Sequence, residues 1–140
     1  MGQEGETAAG RARILVVDDE PSVRILIRRV LERAGFFPHL CEDAETALAH
    51  VAEHPVDLVL VDQNLPQMSG RELVRRLRAG RQHLPVVMMT GAPETAGLDE
   101  DIEVLGKPFS LALLQETVRR ALAARPGLPA SVSPPVESTR

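Results

Sequence analysis

A single stretch decides the fold, Leu58-Val59-Leu60-Val61-Asp62-Gln63-Asn64-Leu65-Pro66. Its four consecutive large apolar residues are typical of a strand that is buried on both faces, as strands of parallel sheets are. The run ends at Asp62, and a turn containing Pro66 and Gly70 follows. For a lone aspartate, capping of that turn would be the default interpretation. Because open α/β sheets bind ligands at the carboxyl ends of their strands, Asp62 is also placed where a functional residue would lie.

Apolar runs and amphipathic runs alternate on both sides of this strand. We expect strands at 13–17, 37–41, 56–61, 86–89 and 102–105, and helices at about 21–34, 44–53, 70–80 and 111–124. Strand-helix alternation with short connections predicts a doubly wound parallel sheet with helices on both faces and right-handed crossovers. Segment 92–101 contains Pro93 and Gly97, so the fourth helix, before the last strand, is expected to be short or disordered.

Helix ends and helix faces can also be predicted from the pattern. Ser22 or Asp19 is expected to cap the first helix, with Pro21 in its first turn. At helical spacing, Leu26 falls on the inward face of this helix and Leu113 on that of the last one. The remaining helix starts are expected to be capped by short polar residues, Asp43, Ser69 and Ser110.

Length and composition bound the class of protein. With 140 residues the chain is expected to form one domain, 12–124, between a disordered tail at 1–11 and a Pro/Ser-rich tail or linker at 125–140. The net charge of -4 and the absence of Trp and Tyr argue against a nucleic-acid surface. Cys41 is the single cysteine, so no internal disulfide can form, which fits a reducing compartment. We expect a cytoplasmic domain, since the sequence has neither a signal peptide nor a membrane-spanning run.

Four of the five predicted strands end in a reactive polar residue. These residues are Asp18 and Asp19 after the first strand, Asp62 after the third, Thr90 after the fourth and Lys107 after the fifth. Parallel strands bring their carboxyl ends to one edge of a sheet, so these side chains are expected to form a site.

The residue types at this edge indicate the chemistry. Three neighbouring carboxylates repel one another unless a cation lies between them, and oxygen ligands favour Mg²⁺. Asp62, at the end of the most central strand, could act as a nucleophile towards phosphorus. The charge of Lys107 and the hydroxyl of Thr90 both suit the oxygens of a phosphoryl group.

These motifs together resemble the receiver domain of two-component response regulators. The resemblance is carried by Asp-Asp after a buried strand, Val-Asp-Gln-Asn-Leu-Pro-Gln-Met-Ser-Gly around Asp62, Met-Thr-Gly at Thr90 and Leu-Gly-Lys-Pro-Phe at Lys107. It covers about residues 12–124, and the set in this order is highly specific. It implies a flavodoxin-like fold with five parallel strands in the order 2-1-3-4-5.

The resemblance also implies roles for the site residues. Asp62 would accept a phosphoryl group from a histidine kinase or a histidine phosphotransfer protein. Asp19 would bind Mg²⁺ directly, and Asp18 would bind it through water. Asn64 would contribute its backbone carbonyl as a further ligand. Mn²⁺ could take the place of Mg²⁺. A domain of this kind catalyses only its own phosphorylation and dephosphorylation and is not otherwise an enzyme.

Two further residues complete the implied switch. Lys107 would pair with the acyl phosphate, and Thr90 would shift towards it to signal that Asp62 is phosphorylated.

The phosphodonor is expected to dock on the first helix, at Ile25 and the neighbouring charged positions. No nucleic acid or membrane is expected to bind this domain, which would be a monomer or a weak dimer.

The sequence departs from the family pattern in two places. Val104 occupies the position, three residues before the lysine, where the family often has an aromatic residue. The interval between Thr90 and Lys107 is also several residues short. We therefore expect signalling to depend on reordering of segment 92–101 and not on an aromatic flip.

Three other classes of protein share parts of this pattern. A haloacid-dehalogenase-like phosphatase would need a second Asp where this chain has Glu20, and an acidic pair after the lysine. A P-loop would need Ser or Thr at Pro108 and a glycine loop before it. A degenerate, non-phosphorylated receiver usually lacks an acidic residue or the lysine, and both are present here. The four histidines show no ligand spacing and were interpreted as surface residues, at positions 39, 50, 54 and 83.

Overall fold

The structure, a computed structural model of the chain, describes residues 11–92 and 102–124. In order, the elements are β1 (Arg13–Val17), α1 (Pro21–Arg33), β2 (Phe37–Cys41), α2 (Ala44–Glu53), β3 (Leu58–Asp62), α3 (Gly70–Gly80), β4 (Val86–Thr90), β5 (Ile102–Gly106) and α4 (Leu111–Ala123). Most of the segment with the short fourth helix of the sequence prediction, and nearly all of both predicted tails, lie outside the described residues.

The five strands form one parallel sheet in the order β2-β1-β3-β4-β5, as the sequence predicted. β3 lies at its centre, and all five of its residues are buried. β2 lies at an edge, as the expected strand order implies. The register places Asp62 beside Met89 and Thr90 beside Gly106. The carboxyl ends of β3, β4 and β5 therefore meet at one edge.

Alternate residues of the strands enter two separate cores, one on each face of the sheet. One core joins the sheet to α2 and α3 and includes Leu15, Val17, Val59, Val61, Ala47, Leu73 and Leu77. The other joins it to α1 and α4 and includes Ile14, Val16, Leu58, Leu60, Ile27, Leu31, Leu114 and Val118. Because successive side chains of a strand point to opposite faces, continuous apolar runs such as 58–61 supply both cores at once.

Three of the predicted helix caps are confirmed and one is wrong. The side chains of Asp43, Ser69 and Ser110 each accept a hydrogen bond from the backbone N–H three residues later. Neither Ser22 nor Asp19 caps α1, which has Glu20 at its N-cap without a side-chain hydrogen bond. The reason is Pro21, which already occupies the first helical position and moves the cap to the residue before it.

The inward placement of two leucines was also wrong. Leu26 of α1 and Leu113 of α4 are 44% and 42% exposed. Each precedes a residue that is fully buried, Ile27 in α1 and Leu114 in α4. The buried stripe of each helix is therefore narrower than the run of apolar residues suggested, because one more position on a helix turns a side chain by about a quarter of a circle.

Within residues 11–92 and 102–124, the helices are all too short or too polar to cross a membrane.

Candidate functional site

The structure brings the predicted site residues together at the carboxyl edge of the sheet. Asp18 follows β1, Asp62 ends β3, Thr90 ends β4, and Lys107 follows β5. Asp18, Asp62 and Thr90 are all buried, whereas Asp19 is exposed. Asp18, Asp19 and Asp62 each offer a carboxylate oxygen, and these oxygens lie within 4.8 Å of one another. The arrangement is a carboxylate cluster that opens to solvent on the side of Asp19.

Asp62 is held in place by a close backbone approach. The backbone N–H of Gly70, the first residue of α3, donates to the carbonyl of Gln63 at 2.8 Å. A Cβ atom added to Gly70 would lie 2.3 Å from the carbonyl oxygen of Asp62. Only glycine therefore lets α3 start so near the end of β3. The backbone N–H of Asn64 donates to Asp62 Oδ1 at 3.5 Å, a long contact that limits the orientation of the carboxylate.

Asp18 is fixed by the loop between β1 and α1. Its side chain is fully buried, and its Oδ1 accepts from the backbone N–H of Glu20 at 2.9 Å. Its backbone carbonyl accepts from Arg24 Nη1 at 2.6 Å, and its backbone N–H donates to the carbonyl of Cys41 at 3.1 Å. Arg24 of α1 and Cys41 of β2 thus hold the backbone of Asp18, and Glu20, just before α1, holds its side chain.

Lys107 supplies the countercharge of the cluster. Its Nζ lies 3.3 Å from Asp18 Oδ2 and 3.4 Å from Asp62 Oδ1. Its backbone N–H donates to the carbonyl of Thr90 at 2.7 Å, which extends the pairing of β4 with β5 by one residue. Burial by itself would lower the pKa of Lys107, but the charges of Asp18 and Asp62 outweigh it and raise that pKa. The ammonium group is therefore charged at neutral pH.

The pKa of Asp62 is raised as well, and for a carboxylate this disfavours the charged form. Burial raises its pKa, the charge of Asp18 raises it further, and the charge of Lys107 opposes both. A carboxylate with a raised pKa binds a proton more strongly. A more basic carboxylate is also a stronger nucleophile. Asp62 itself is 7% exposed, and Asp19 is the exposed member of the cluster.

The cluster fits a hard divalent cation. Carboxylate oxygens are the ligands that Mg²⁺ prefers, and Mg²⁺ needs only one or two of them because it keeps several waters. Asp18, Asp19 and Asp62 provide such oxygens within 4.8 Å of one another. Asn64 lies next to this group, and the role of its backbone carbonyl as a fourth ligand stays a prediction.

Thr90 does not use its hydroxyl towards the carboxylates. Thr90 Oγ1 donates a hydrogen bond to Gln63 Oε1 and accepts one from the backbone N–H of Ala92 at 3.0 Å. Gln63 was not predicted as a site residue from the sequence. The available signal was its position directly after Asp62, together with the expectation that β3 and β4 are neighbours.

A second group that the sequence did not reveal lies away from this edge. The rings of His39 and His50 stack with centroids 3.7 Å apart, and those of His50 and His54 with centroids 4.6 Å apart. The three were interpreted as surface residues without ligand spacing. His50 lies in α2 and His54 directly follows its last residue, and their spacing by four was the signal that they share a face.

Comparison with known proteins identifies the class. The model of the response regulator receiver domain family matches residues 14–119, and the chain belongs to this family. The response regulator MprA of Mycobacterium sp. strain KMS is 36% identical over 115 residues. The match covers 79% of this chain and 50% of MprA, so the chain spans about half the length of that relative.

Solved structures show the same fold. The chemotaxis response regulator CheY4 of Vibrio cholerae is 30% identical, with a TM-score of 0.74 over 79% of this chain and 98% of that one. The response regulator TrrA of Thermotoga maritima, solved in complex with Mg²⁺-BeF, is 29% identical, with a TM-score of 0.71 over the same shares, 79% and 98%. The chain is thus a signalling domain of the two-component type.

Proposed function

We propose that this receiver domain accepts a phosphoryl group on Asp62 and relays the resulting change of state. The observation that carries the proposal is the placement of Asp62, which ends the central strand with its Oδ1 3.4 Å from Lys107 Nζ. The donor would be the phosphohistidine of a histidine kinase or of a phosphotransfer protein, in the cytoplasm. The domain would have no other substrate.

In the proposed transfer, one carboxylate oxygen of Asp62 attacks the phosphorus atom of the donor. A P–O bond forms as the P–N bond of the phosphohistidine breaks, and its electron pair stays on the imidazole nitrogen. The product on Asp62 is a mixed anhydride. Little covalent chemistry is asked of the protein, so its contribution is to position the carboxylate and to neutralise charge on the phosphoryl oxygens.

Lys107 is suited to that neutralisation. Its ammonium already lies between Asp18 and Asp62, and a phosphoryl group on Asp62 would carry close to two negative charges within its reach, in place of the single charge of the carboxylate. The raised pKa of Lys107 ensures that the charge is present at neutral pH. Thr90 would supply a second donor, through its hydroxyl.

Asp18, Asp19 and Asp62 would hold Mg²⁺, or Mn²⁺ in its place, during the transfer. The support is the mutual distance of their oxygens and the complex of the related TrrA with Mg²⁺-BeF. When bound, the ion would offset the repulsion between the three carboxylates and the incoming phosphoryl oxygens. The exposure of Asp19 leaves a route by which the ion could enter.

Chemical phosphorylation tests this proposal. The full chain, incubated with acetyl phosphate and Mg²⁺, should gain one phosphoryl group by intact-mass analysis, and hydroxylamine should remove it because the product is a mixed anhydride. Asp62→Asn should not be labelled. Glu53→Gln, which removes an exposed carboxylate at the end of α2, should be labelled like the parent chain. Label on the Asp62→Asn chain, or label that resists hydroxylamine, would refute the assignment.

A further inference from the structure

The hydroxyl of Thr90 is fully engaged in the structure. It gives its one proton to Gln63 Oε1 and accepts the backbone N–H of Ala92 at 3.0 Å. A threonine hydroxyl has a single proton, so that proton cannot also serve an oxygen at Asp62. Thr90 is 1% exposed, which means that water cannot readily replace Gln63 as the acceptor. Any movement of the hydroxyl towards Asp62 must therefore begin by breaking its hydrogen bond to Gln63.

Gln63 is well placed to hold this bond. Its backbone N–H donates to the carbonyl of Met89 at 2.8 Å, and its carbonyl accepts from Gly70 at 2.8 Å. The backbone of Gln63 is thereby tied both to β4, one residue before Thr90, and to the start of α3. Its side chain begins next to Thr90 and is partly buried, and its amide oxygen reaches the Thr90 hydroxyl across the two neighbouring strand ends.

We propose that Gln63 is a positioning residue that retains the Thr90 hydroxyl in the unmodified state and thereby sets how readily the domain switches. The proposal rests on the proposed function, in which a phosphoryl group on Asp62 recruits the hydroxyl of Thr90. A phosphoryl oxygen and Gln63 Oε1 then compete for the same proton. The hydrogen bond to Gln63 stabilises the unmodified state, and its loss is a cost of forming the modified one.

The size of the effect follows from the worth of one hydrogen bond. Removing the acceptor on Gln63 without changing the shape of its side chain should favour the phosphorylated or phosphoryl-mimicking state by about two- to tenfold. Methionine is suited to this substitution, because it has nearly the length of glutamine and no strong hydrogen-bond acceptor. The effect should depend wholly on the hydroxyl of Thr90.

The test is a double-mutant cycle read with beryllofluoride as the phosphoryl mimic. The beryllofluoride concentration that gives half saturation is measured at a fixed Mg²⁺ concentration for the parent full chain, Gln63→Met, Thr90→Val and the double variant. We expect Gln63→Met to lower it about two- to tenfold in the parent and to leave it unchanged in the Thr90→Val background. Gln82→Met, the same substitution at an exposed glutamine, should change nothing.

Each other outcome counts against the proposal in a distinguishable way. Weaker binding by Gln63→Met would show that the amide contacts the phosphoryl group itself, and equal effects in both Thr90 backgrounds would show a general structural role. Both would overturn the role of Gln63 and leave Asp62 as the acceptor. If the parent chain neither binds beryllofluoride nor takes up phosphoryl from acetyl phosphate, the proposed function fails, and the inference fails with it.

Discussion

Lys107 is the single lysine in a chain that is rich in arginine. Its compact ammonium lies between two carboxylates, 3.3 Å from Asp18 and 3.4 Å from Asp62. An arginine would present a planar fork that binds one carboxylate with two parallel hydrogen bonds, whereas an ammonium acts as a point charge that can be shared and redirected. In the proposed phosphotransfer, Lys107 would exchange partners when charge is added at Asp62, and lysine would serve this better than arginine.

Gly70 gives a residue-scale prediction for stability. Gly70→Ala would place a Cβ 2.3 Å from the backbone carbonyl of Asp62, and backbone cannot move aside as a flexible side chain can. We expect the free energy of unfolding to fall by about 1–3 kcal/mol, the usual cost of overpacking. Urea unfolding followed by circular dichroism measures it.

Gly80 is the matched control, since it is the last residue of the same helix. A Cβ there would meet nothing within 4 Å. Gly80→Ala should be neutral or stabilising by up to about 1 kcal/mol, because alanine restricts the unfolded chain. Equal losses for the two variants would mean that the close approach of α3 to Asp62 has no energetic consequence.

At the scale of elements, α1 presents two neighbouring apolar residues to solvent beside the carboxylate cluster. Ile25 and Leu26 are both 44% exposed, and the helix begins three residues after Asp18. Apolar side chains surrounded by charged ones often mark a surface for a protein partner. We therefore expect the phosphodonor to dock on this face of α1, as the exposed Ile25 suggested from the sequence.

The docking prediction can be separated from chemistry by changing the donor. Replacing Ile25 and Arg28 with Asp should slow phosphoryl transfer from a cognate histidine kinase by at least about fivefold, the effect of one interface residue worth 1 kcal/mol. Transfer from acetyl phosphate should not change, because a small donor needs no helix surface. The kinase would first be found by phosphotransfer profiling.

Leu113→Asp serves as the control for this experiment. Leu113 lies on α4 and is 42% exposed, so its substitution replaces a similarly exposed apolar residue with Asp on another helix, as Ile25→Asp does on α1. It should leave transfer from both donors unchanged. Equal loss with both donors for the α1 variant would show that the substitutions damage the site itself and would end the docking interpretation.

The elements also show where the sequence was informative. Continuous apolar runs that end in a polar residue identified β1, β3 and β4 and the strand ends at Asp18, Asp62 and Thr90, because burial on both faces leaves little freedom for other patterns. The phase of a helix is less well determined. Leu26 and Leu113 each lie one position from a buried neighbour, and only the packing of the whole helix decides which of the two enters the core.

Contacts between side chains from different elements were the part beyond prediction. The bond from Thr90 to Gln63 depends on the register of β3 and β4, and the histidine stack depends on the docking of α2 against β2. A one-residue change in either arrangement would separate these groups. The sequence specifies such contacts only through the complete fold.

At the scale of the whole molecule, the ionisable groups make the free energy of unfolding depend on pH. Individual groups act in different directions as the pH falls. Burial raises the pKa of Asp62, so this carboxylate opposes folding near neutral pH and does so less as the pH falls. The pKa of Lys107 is also raised, through Asp18 and Asp62, so its stabilising effect is present at neutral pH and is lost only at strongly alkaline pH. Neither group predicts a loss of stability in mild acid.

The stacked rings of His39, His50 and His54 do predict a loss of stability in mild acid. Burial lowers the pKa of His39, and so does the charge of His54; burial also lowers the pKa of His50, together with the charges of His39, His54 and Arg13. Stacked rings at 3.7 Å and 4.6 Å cannot all become cations without mutual repulsion. The unfolded chain, in which histidine has its ordinary pKa of 6.5, thus binds protons more readily than the folded one.

The sign of the pH dependence follows from this difference. Both pKa values are depressed in the folded state, so the stabilising contribution is complete above pH 6.5 and declines as the pH falls through the folded values. Because His39 is exposed and His50 partly so, solvent screens the repulsion, and we expect a contribution of only about 0.5 kcal/mol.

His50→Gln, which removes the middle ring, should therefore lose less stability than the parent chain between pH 7.5 and pH 5.5. The difference, measured by urea titrations at the two pH values, should be about 0.5 kcal/mol. His83→Gln, at an exposed histidine outside the stack, should follow the parent chain. If His50→Gln and the parent chain lose equal stability over this interval, the stacked rings do not repel one another on protonation, and acid sensitivity must come from other groups.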